Sequence, residues 1–294
     1  MGASSLIHVP GRAPSTKDTL RPLASGFQQE ASTRSSETCS SSSSTSSSRC
    51  SSPSPEDASP PPDGITLDKS QAIVFKVGLL GDHYWRWVHE ADPGHPRFFA
   101  PDWAEALTKT PWWIVPLIWA PLFSLCTYLA CRSLQPQETT SLMLVGVAGW
   151  QLLEYLIHRF LFHHTSTSYW GITLHFLFHG CHHKYPNDKL RLVFPPLPAS
   201  LLVGLVYLCL NAVLSAPKAL AAFSGAGFAY VAYDCLHYAM HNGRWLPAGP
   251  LRDLRTQHVR HHKEHTHGYG ISSSFFDFMF NTSSKSLLHQ VGWA

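Results

Sequence analysis

The chain has 294 residues, a formal net charge of +3 and only 14% charged residues, against 12% aromatic residues. A chain so close to neutral offers no electrostatic basis for binding nucleic acid, so we expect no nucleic-acid partner. The scarcity of charge, together with 10 tryptophans and 16 phenylalanines, favours an integral membrane protein. The length allows one core domain and a tail.

The first 63 residues are rich in serine and proline, and positions 40–48 are all Ser or Thr. Such a segment contains too little apolar surface to offset the entropy lost on ordering, so we predict that residues 1–63 are disordered. No apolar stretch follows the start, and we expect no cleavable secretory signal. A regulatory or merely tolerated tail is the preferred interpretation, and an organellar transit peptide is the alternative.

Residues 64–110 are amphipathic and aromatic, with tryptophans at positions 85, 87 and 103. Tryptophan is enriched where a protein meets the membrane–water interface, so this segment is predicted to form short interfacial helices. Its three histidines, His83, His89 and His95, lack the spacing of metal ligands. We therefore predict that they are ordinary surface residues.

Four apolar stretches follow, at residues 112–131, 141–157, 197–216 and 219–235. The first carries no charge for 20 residues, enough to cross a hydrocarbon core of about 30 Å. The short linkers at 132–140 and 217–218 predict two helical hairpins. The expected fold is therefore all-α, with four transmembrane helices in a membrane domain at residues 111–281 and a C-terminal tail at 282–294.

The distribution of positive charge predicts the orientation of this domain. Four crossings place both termini and all the histidine motifs on one side of the membrane. Of the 22 Lys and Arg residues, only Arg132 and Lys218 fall in the loops on the opposite side. Since cytoplasmic loops carry the excess of positive charge, we expect a histidine-rich helical cap that faces the cytosol.

Fourteen of the 19 histidines lie between residues 158 and 267, in spaced groups. Residues three and four apart share a helix face, so His179, His182 and His183 form one H-x-x-H-H triad, and a second triad follows at residues 258–262. His237 and His241 are one turn apart. His158 and His163 are five apart, out of register on an unbroken α-helix. Either the helix ends between them or they reach different metals.

Imidazole is the commonest metal ligand among side chains, and ten nitrogens are too many for one ion. Ten nitrogens would suit two ions, with about five ligands each and an open position for a small ligand. Imidazole suits zinc, copper, iron and nickel; we choose iron because zinc has no redox chemistry, with zinc as the alternative in purified protein. Cys181, inside the first triad, is a weaker candidate ligand. The ten predicted ligands are His158, His163, His179, His182, His183, His237, His241, His258, His261 and His262.

Two acidic residues and one further histidine are candidates for a supporting role. Glu154 precedes His158 by four residues, and Asp234 precedes His237 by three. Metal-bound histidines commonly donate their second N–H to a carboxylate, so both acids are predicted partners of these histidines. The alternative is that they only mark the water interface. His175, one turn before His179, is interpreted as a hydrogen-bond donor that supports the ligand histidines, in preference to an eleventh ligand.

The histidine motifs with their flanking residues resemble those of the fatty acid 2-hydroxylases, membrane members of the sterol desaturase and fatty acid hydroxylase superfamily. The similar runs are LLEYLIHRFLFHH, HFLFHGCHHKYPNDKLRLVFPP, YVAYDCLHYAMH and HVRHHKEHTHGYGISSSFFD. The resemblance extends from about residue 65 to about residue 281. A bare H-x-x-H-H is common to the superfamily, whereas the second run is far narrower.

This resemblance implies hydroxylation at carbon 2 of long or very-long-chain fatty acyl groups, free or in ceramide, with O2 and a di-iron site held by the same ten histidines. It also implies cytochrome b5 as electron donor and residence in the endoplasmic reticulum membrane. The N-terminal region lacks a haem-binding HPGG, so the chain looks like the plant and algal form, which uses a separate cytochrome. Asn242 stands where relatives often have a further histidine.

Alternatives of two classes remain open. Another superfamily activity, on a sterol, a sphingoid base or a carotenoid, is compatible with the histidine layout. A non-catalytic membrane zinc-binding protein is the other. For the electron donor, a set of basic residues forms a candidate docking face, with phospholipid headgroups as an equal candidate for the same set: Lys184, Lys189, Arg191, Arg252, Arg255, Arg260 and Lys263.

Overall fold

The computed structural model describes residues 67–243 and 249–283, and within these ranges every regular element is helical. The predicted disordered tail at residues 1–63 lies outside the described residues, as do residues 284–294 of the predicted C-terminal tail. The helices in chain order are α1 (Val74–Val77), a 3₁₀ segment (Gly78–His83), α2 (Tyr84–His89), α3 (Asp102–Leu107), α4 (Ile114–Cys131), α5 (Pro136–Leu156) with a π-helical extension (Ile157–Phe162), α6 (Tyr169–His175) with a π-helical extension (Phe176–Gly180), α7 (Cys181–Lys184), α8 (Pro196–Val213), α9 (Ala216–Asn242), α10 (Pro250–Glu264) and α11 (Phe275–Met279).

Among the described residues, four helices are long and apolar enough to cross a membrane: α4, α5 with its extension, α8 and α9. This confirms the predicted all-α fold with four spans. Two of the predicted spans are too short, because α5 runs to Phe162 and α9 runs from Ala216 to Asn242. Hydropathy marks only the part of a helix in the apolar zone, whereas the backbone continues as a helix into the polar histidine motifs. The histidines of α5 and α9 therefore lie on helical continuations of the membrane helices.

Helix α9 is the centre of the bundle and packs most extensively against α5 and α4. Glycines allow the closest approach, as is common between membrane helices. A Cβ added at Gly146 of α5 would lie 1.9 Å from the Ala222 carbonyl oxygen, and one added at Gly225 of α9 would lie 2.0 Å from the Met143 carbonyl oxygen. The two backbones are thus in contact, with no space for even one methyl group.

We expect Gly146→Ala to destabilise the protein by about 1–3 kcal/mol, because overpacking against backbone atoms forces the helices apart. The measurement is the thermal unfolding temperature in detergent micelles. Gly149→Ala is the matched control, since a Cβ there meets nothing within 4 Å. Equal unfolding temperatures for the two variants would contradict the proposed close packing of α5 and α9.

The two short connections of the bundle lie at its end remote from the histidines. There the Lys218 Nζ is 2.9 Å from the Glu138 carboxylate, which joins the start of α9 to the start of α5. The helix ends that carry His158 and His237 are therefore together at the other end. Consecutive helices are in contact, but the broadest contacts run between the predicted hairpins, from α9 to α5 and α4.

A second hydrophobic core lies beside the histidine motifs. Helices α1 and α2, with the 3₁₀ segment between them, pack their apolar side chains against α6, its extension and α7. Val77, Tyr84 and Val88 are buried there against Ile172 and Phe176. The aromatic segment before α4 thus covers the helix that carries His179, and its position at the membrane interface stays a prediction.

Candidate metal centre

The five-residue spacing of His158 and His163 is explained by the π-helical extension of α5. A π-helix bonds residue i to residue i+5, so side chains five apart point to the same side. The Nε2 atoms of both histidines lie 3.2 Å from Nε2 of His179. The helix ends at Phe162, one residue before His163, which agrees with the first alternative drawn from the sequence. The second alternative is wrong, because both rings join one group.

The two H-x-x-H-H triads do not each form one site. His179 and His183 join the pair from α5, whereas His182 belongs to the other group. His258 and His262 join the pair from α9, whereas His261 belongs to the group that contains the α5 pair. The first histidine cluster is His158, His163, His179, His183 and His261, and the second histidine cluster is His182, His237, His241, His258 and His262. In each cluster the five ligand nitrogens lie within 4.8 Å of one another.

All ten predicted ligands are therefore brought together, five and five. In the second cluster, Nε2 of His237 is 2.9 Å from that of His182, and Nε2 of His241 is 2.8 Å from that of His258. Cys181 is in neither cluster; its Sγ lies 3.9 Å from the Leu177 carbonyl oxygen. Burial raises the pKa of this thiol to about 12, so it stays protonated at neutral pH and is a poor ligand.

Backbone carbonyl groups orient three of the rings. Nδ1 of His158 donates to the Tyr269 carbonyl oxygen at 2.6 Å, Nδ1 of His237 donates to that of Leu192 at 3.1 Å, and Nδ1 of His261 donates to that of His267 at 2.8 Å. A proton held on Nδ1 leaves the Nε2 lone pair directed into the cluster. The loops that supply these carbonyl groups are therefore part of the site.

The predicted direct bonds from Glu154 and Asp234 to histidines are not what the structure shows. Glu154 accepts from the backbone N–H groups of Ile271 and Ser272 at 2.7 and 2.8 Å and from the Ser272 hydroxyl at 2.6 Å. Asp234 accepts from the backbone N–H of Phe194 at 3.3 Å. Each acid thus anchors a backbone group two residues after the carbonyl that orients a histidine of its own helix. Both act on the histidines through these loops.

Asp277 is a supporting residue that the sequence did not single out. Its carboxylate accepts from the backbone N–H groups of Tyr269 and Gly270 at 2.9 and 2.7 Å, and from the Gln257 amide at 2.8 Å. Gly268 has φ +76°, a conformation that favours glycine. The sequence did contain a signal for this role: glycines flank Tyr269, and an acid follows eight residues later. Glycines indicate a tight turn, and a tight turn leaves backbone N–H groups that need an acceptor such as this carboxylate.

His175 lies outside both clusters, so an eleventh ligand is not supported. Its Nδ1 is 2.6 Å from the Tyr84 hydroxyl group in the core below α2. This partner comes from the aromatic N-terminal segment rather than from a ligand histidine. The bond ties α6 to α2 at the edge of the first cluster, and any further role of His175 as a donor to the metal site stays a prediction.

His89 is not the surface residue that its spacing suggested. Its ring stacks on that of His265, with centroids 3.9 Å apart, and meets the His183 ring edge-on at 5.2 Å. Burial lowers the pKa of His89 to about 4. His95, in contrast, is exposed as predicted and lies 3.5 Å from the Asp188 carboxylate.

The electrostatics of the clusters fit bound cations. Burial, together with the neighbouring imidazoles, holds the pKa of His179, His182, His183, His258, His261 and His262 well below the usual range. Neutral rings with their lone pairs about 3 Å apart repel one another, and a metal ion at the centre of each cluster removes that repulsion. A donor set made only of imidazoles suits zinc, copper, iron or nickel.

Both clusters border one cavity of about 550 Å³, here called the metal-site cavity. His179, His182 and His237 form one wall, and most of the remaining lining is apolar. Arg191 also lines it, and its buried guanidinium is 2.6 Å from each of the carboxylates of Glu105 and Asp188. The site therefore offers space for an apolar molecule directly beside the histidine clusters.

The Glu105 contacts predict a pH effect on stability. Burial alone would raise its pKa, but hydrogen bonds from Lys109, Phe99 and Phe98 and the Arg191 charge lower it to about 2. The stabilisation is complete above the ordinary pKa of 4.5 and is lost as the pH falls from 4.5 towards 2. We expect Glu105→Gln to unfold at a lower temperature than wild type at pH 6, and the difference to shrink between pH 4.5 and pH 3. A constant difference would contradict the assignment.

Comparison with known proteins agrees with this geometry. Residues 143–282 match the model of the fatty acid hydroxylase family. The chain is 40% identical to the dihydroceramide fatty acyl 2-hydroxylase FAH1 of Arabidopsis thaliana, over 74% of this chain and 94% of that protein. It is 38% identical to the fatty acid 2-hydroxylase of Homo sapiens, over 76% of this chain and 66% of that protein.

A solved structure is also similar: full-length scs7p, in which only the hydroxylase domain is visible. The TM-score is 0.70 at 34% identity, with 74% of this chain and 86% of that chain covered. The family match at residues 143–282 contains both histidine clusters. This chain therefore belongs to the fatty acid hydroxylase family.

Proposed function

We propose that the protein hydroxylates carbon 2 of the fatty acyl group of a ceramide or dihydroceramide in sphingolipid synthesis, with O2 as oxidant. The observation that carries this is the pair of five-histidine clusters on the wall of a largely apolar cavity of about 550 Å³. The similarity to proteins named fatty acyl 2-hydroxylases supports the choice of reaction.

The lining of the metal-site cavity favours an amide-linked acyl group over a free acid. Among its lining residues, Arg191 is the one permanent cation, and two carboxylates already neutralise it. Asp234 is a further acidic lining residue and offers no positive charge to a free carboxylate. A neutral amide needs only hydrogen-bond partners, such as the Thr108 hydroxyl group on the same wall.

The residues of the chain would hold two iron ions, one in each cluster, with zinc as the alternative in purified protein. When bound and reduced, such a pair supplies the activation of O2 that breaking the C–H bond at carbon 2 requires. The histidines fix the positions of the ions, the carbonyl groups of Tyr269, Leu192 and His267 fix the ring orientations, and the apolar wall excludes water from the reacting carbon.

The reaction needs two electrons per turnover, and we propose cytochrome b5 as the donor. Two members of the predicted basic face cannot contact a docked protein, because they are buried. Lys184 is 6% exposed, and the side chain of Arg191 is also 6% exposed. Arg252, Arg255, Arg260 and Lys263 lie on α10, the helix that carries His258, His261 and His262. An acidic cytochrome bound there would be next to both clusters.

The proposed location is the endoplasmic reticulum membrane, with the clusters and their helical cap on the cytosolic side. The support for this orientation is the charge distribution, since of the 22 Lys and Arg residues only Arg132 and Lys218 belong to the remote end of the bundle. Carbon 2 is adjacent to the polar head of the lipid. A substrate in the cytosolic leaflet would therefore present that carbon at the depth of the helix ends.

The test is expression in cells that lack fatty acyl 2-hydroxylase activity, followed by mass spectrometry of the sphingolipids. We expect 2-hydroxyacyl ceramides with the intact chain and none with His261→Ala. Oxidation of a sterol, a sphingoid base or a carotenoid in place of the acyl group would favour another superfamily activity. Metal binding without O2 consumption in the presence of a reductant would favour a zinc-binding protein.

A further inference from the structure

A second, smaller cavity lies inside the helix bundle and has no place in the metal site described above. Its volume is about 90 Å³, and its lining comes from α4, α5, α8 and α9. Apart from Glu154, the lining residues are apolar or aromatic. This membrane cavity is therefore suited to hydrocarbon and not to water or ions.

The membrane cavity adjoins the metal-site cavity. Phe162, Phe194 and Tyr233 line both. The Phe162 ring stacks on that of His179 with centroids 4.9 Å apart, and the Tyr233 ring is parallel to that of His237 with centroids 6.1 Å apart. The three aromatic rings thus separate the two spaces at the level of the metal ligands, with one ligand from each cluster in contact with the partition.

The side of the membrane cavity between α5 and α8 is loosely closed. Helix α8 packs on α9 and weakly on α4, and its contact with α5 is at most slight. Ala199 is its one buried residue, whereas Leu201 and Leu205 are 77% and 57% exposed. A hydrocarbon chain in the bilayer could therefore reach the cavity sideways, by a small displacement of α8 from α5.

The depth of the membrane cavity is limited. On α9 the lining runs from Tyr233 to Phe223, ten residues or about 15 Å at 1.5 Å per residue. The end remote from the metal ligands is formed by Phe123, Val206 and Phe223. The Phe123 and Phe223 rings meet edge-to-face with centroids 5.3 Å apart, which closes the floor with two interlocked rings.

We propose that the membrane cavity receives the tail of the substrate's acyl chain and that its floor, formed by Phe123, Val206 and Phe223, sets the chain length that the enzyme prefers. This rests on the proposed function, since it assigns the tail of the same substrate. With carbon 2 beside His179 and His237, the chain passes the aromatic partition and runs between α5 and α8. The head group stays in the metal-site cavity, near Thr108.

The test compares Val206→Trp, which fills the cavity next to its floor, with Leu205→Trp, which adds the same side chain on the outer face of α8. Cells expressing each protein receive a mixture of fatty acids of sixteen to twenty-six carbons. The ratio of very-long-chain to sixteen-carbon 2-hydroxyacyl ceramides is measured. We expect Val206→Trp to lower this ratio by about tenfold or more, because each misplaced methylene costs about tenfold. We expect Leu205→Trp to leave it unchanged.

A second measurement is independent of turnover. Purified wild-type and variant proteins are titrated with dihydroceramides of graded acyl length, and the shift of the thermal unfolding temperature is recorded. Wild type should be stabilised more by the longer chains, and Val206→Trp should lose that dependence while it keeps the response to the shortest chain. Equal shifts for the two tryptophan variants would overturn the proposal that the membrane cavity receives the acyl tail. A wild-type protein that shows the graded shift but forms no 2-hydroxy product would instead overturn the proposed reaction.

Discussion

Replacing His261 with alanine is expected to remove one of the two metal ions and to lower hydroxylation by more than about a hundredfold, since even partners one step removed from a metal cost 10- to 100-fold. His261 belongs to the first cluster, although its neighbours His258 and His262 belong to the second. The variant should therefore keep the second ion. Mass spectrometry of the metals in purified protein should show about one ion per chain, against two in wild type.

His182→Ala should give the reciprocal result, with the second ion lost and the first retained, because His182 is the one residue of its triad in the second cluster. The matched control is His164→Ala, which changes an exposed histidine next to His163 that lies in neither cluster. The control should keep both ions and full activity. Loss of both ions in each triad variant would mean that the clusters do not bind independently, and retention of both would refute the ligand assignment.

The ten candidate ligands are readable from sequence, but their division between two clusters is not. Successive residues of an α-helix are about 100° apart, so positions i+3 and i+4 lie on either side of residue i and diverge by that same angle. Sharing a face therefore does not mean sharing a metal. His179 and His183 point one way and His182 another. Which histidines they meet depends on the tertiary structure, which brings the α5 histidines to the first two and the α9 histidines to His182.

The π-helical extensions are the second feature that the sequence did not reveal. Apolar periodicity predicts an α-helix through His158, and five-residue spacing then looks like a break. In the structure one wider, π-helical turn over Ile157–Phe162 accommodates the five-residue spacing. Turns of this kind are frequent at functional sites because they re-aim a side chain without ending the helix.

The loops that orient the rings use backbone carbonyl groups, which carry no residue-specific signal. Leu192 and Tyr269 orient the rings through their carbonyl groups, which every residue has, so no motif marks this role. What the sequence did contain were the acids that anchor these loops. Glu154 and Asp234 were singled out for their spacing from His158 and His237, and the structure keeps their supporting role while it changes the atoms through which they act.

That role leads to the second large expected effect, the consequence of Glu154→Gln. The carboxylate accepts three hydrogen bonds, from two backbone N–H groups and the Ser272 hydroxyl group. A glutamine keeps one oxygen for the two N–H groups and turns its NH2 group towards the Ser272 hydroxyl group, but a neutral amide oxygen accepts more weakly than a carboxylate. The segment that carries the Tyr269 carbonyl group should loosen, and His158 should lose its fixed orientation. We expect the affinity of the first cluster for metal to fall by about 10- to 100-fold.

Competition with a chelator measures this affinity directly, and the unfolding temperature of the metal-free protein measures the structural cost separately. Glu138→Gln is the control, since it changes the same residue type on the same helix, 40% exposed and beside Lys218 at the remote end of the bundle. A positioning role requires weaker metal binding in Glu154→Gln than in Glu138→Gln. If the chelator removed metal equally from both while only the unfolding temperature fell, Glu154 would support the fold alone, and the histidine orientation would have to come from Asp277 and its hold on Tyr269.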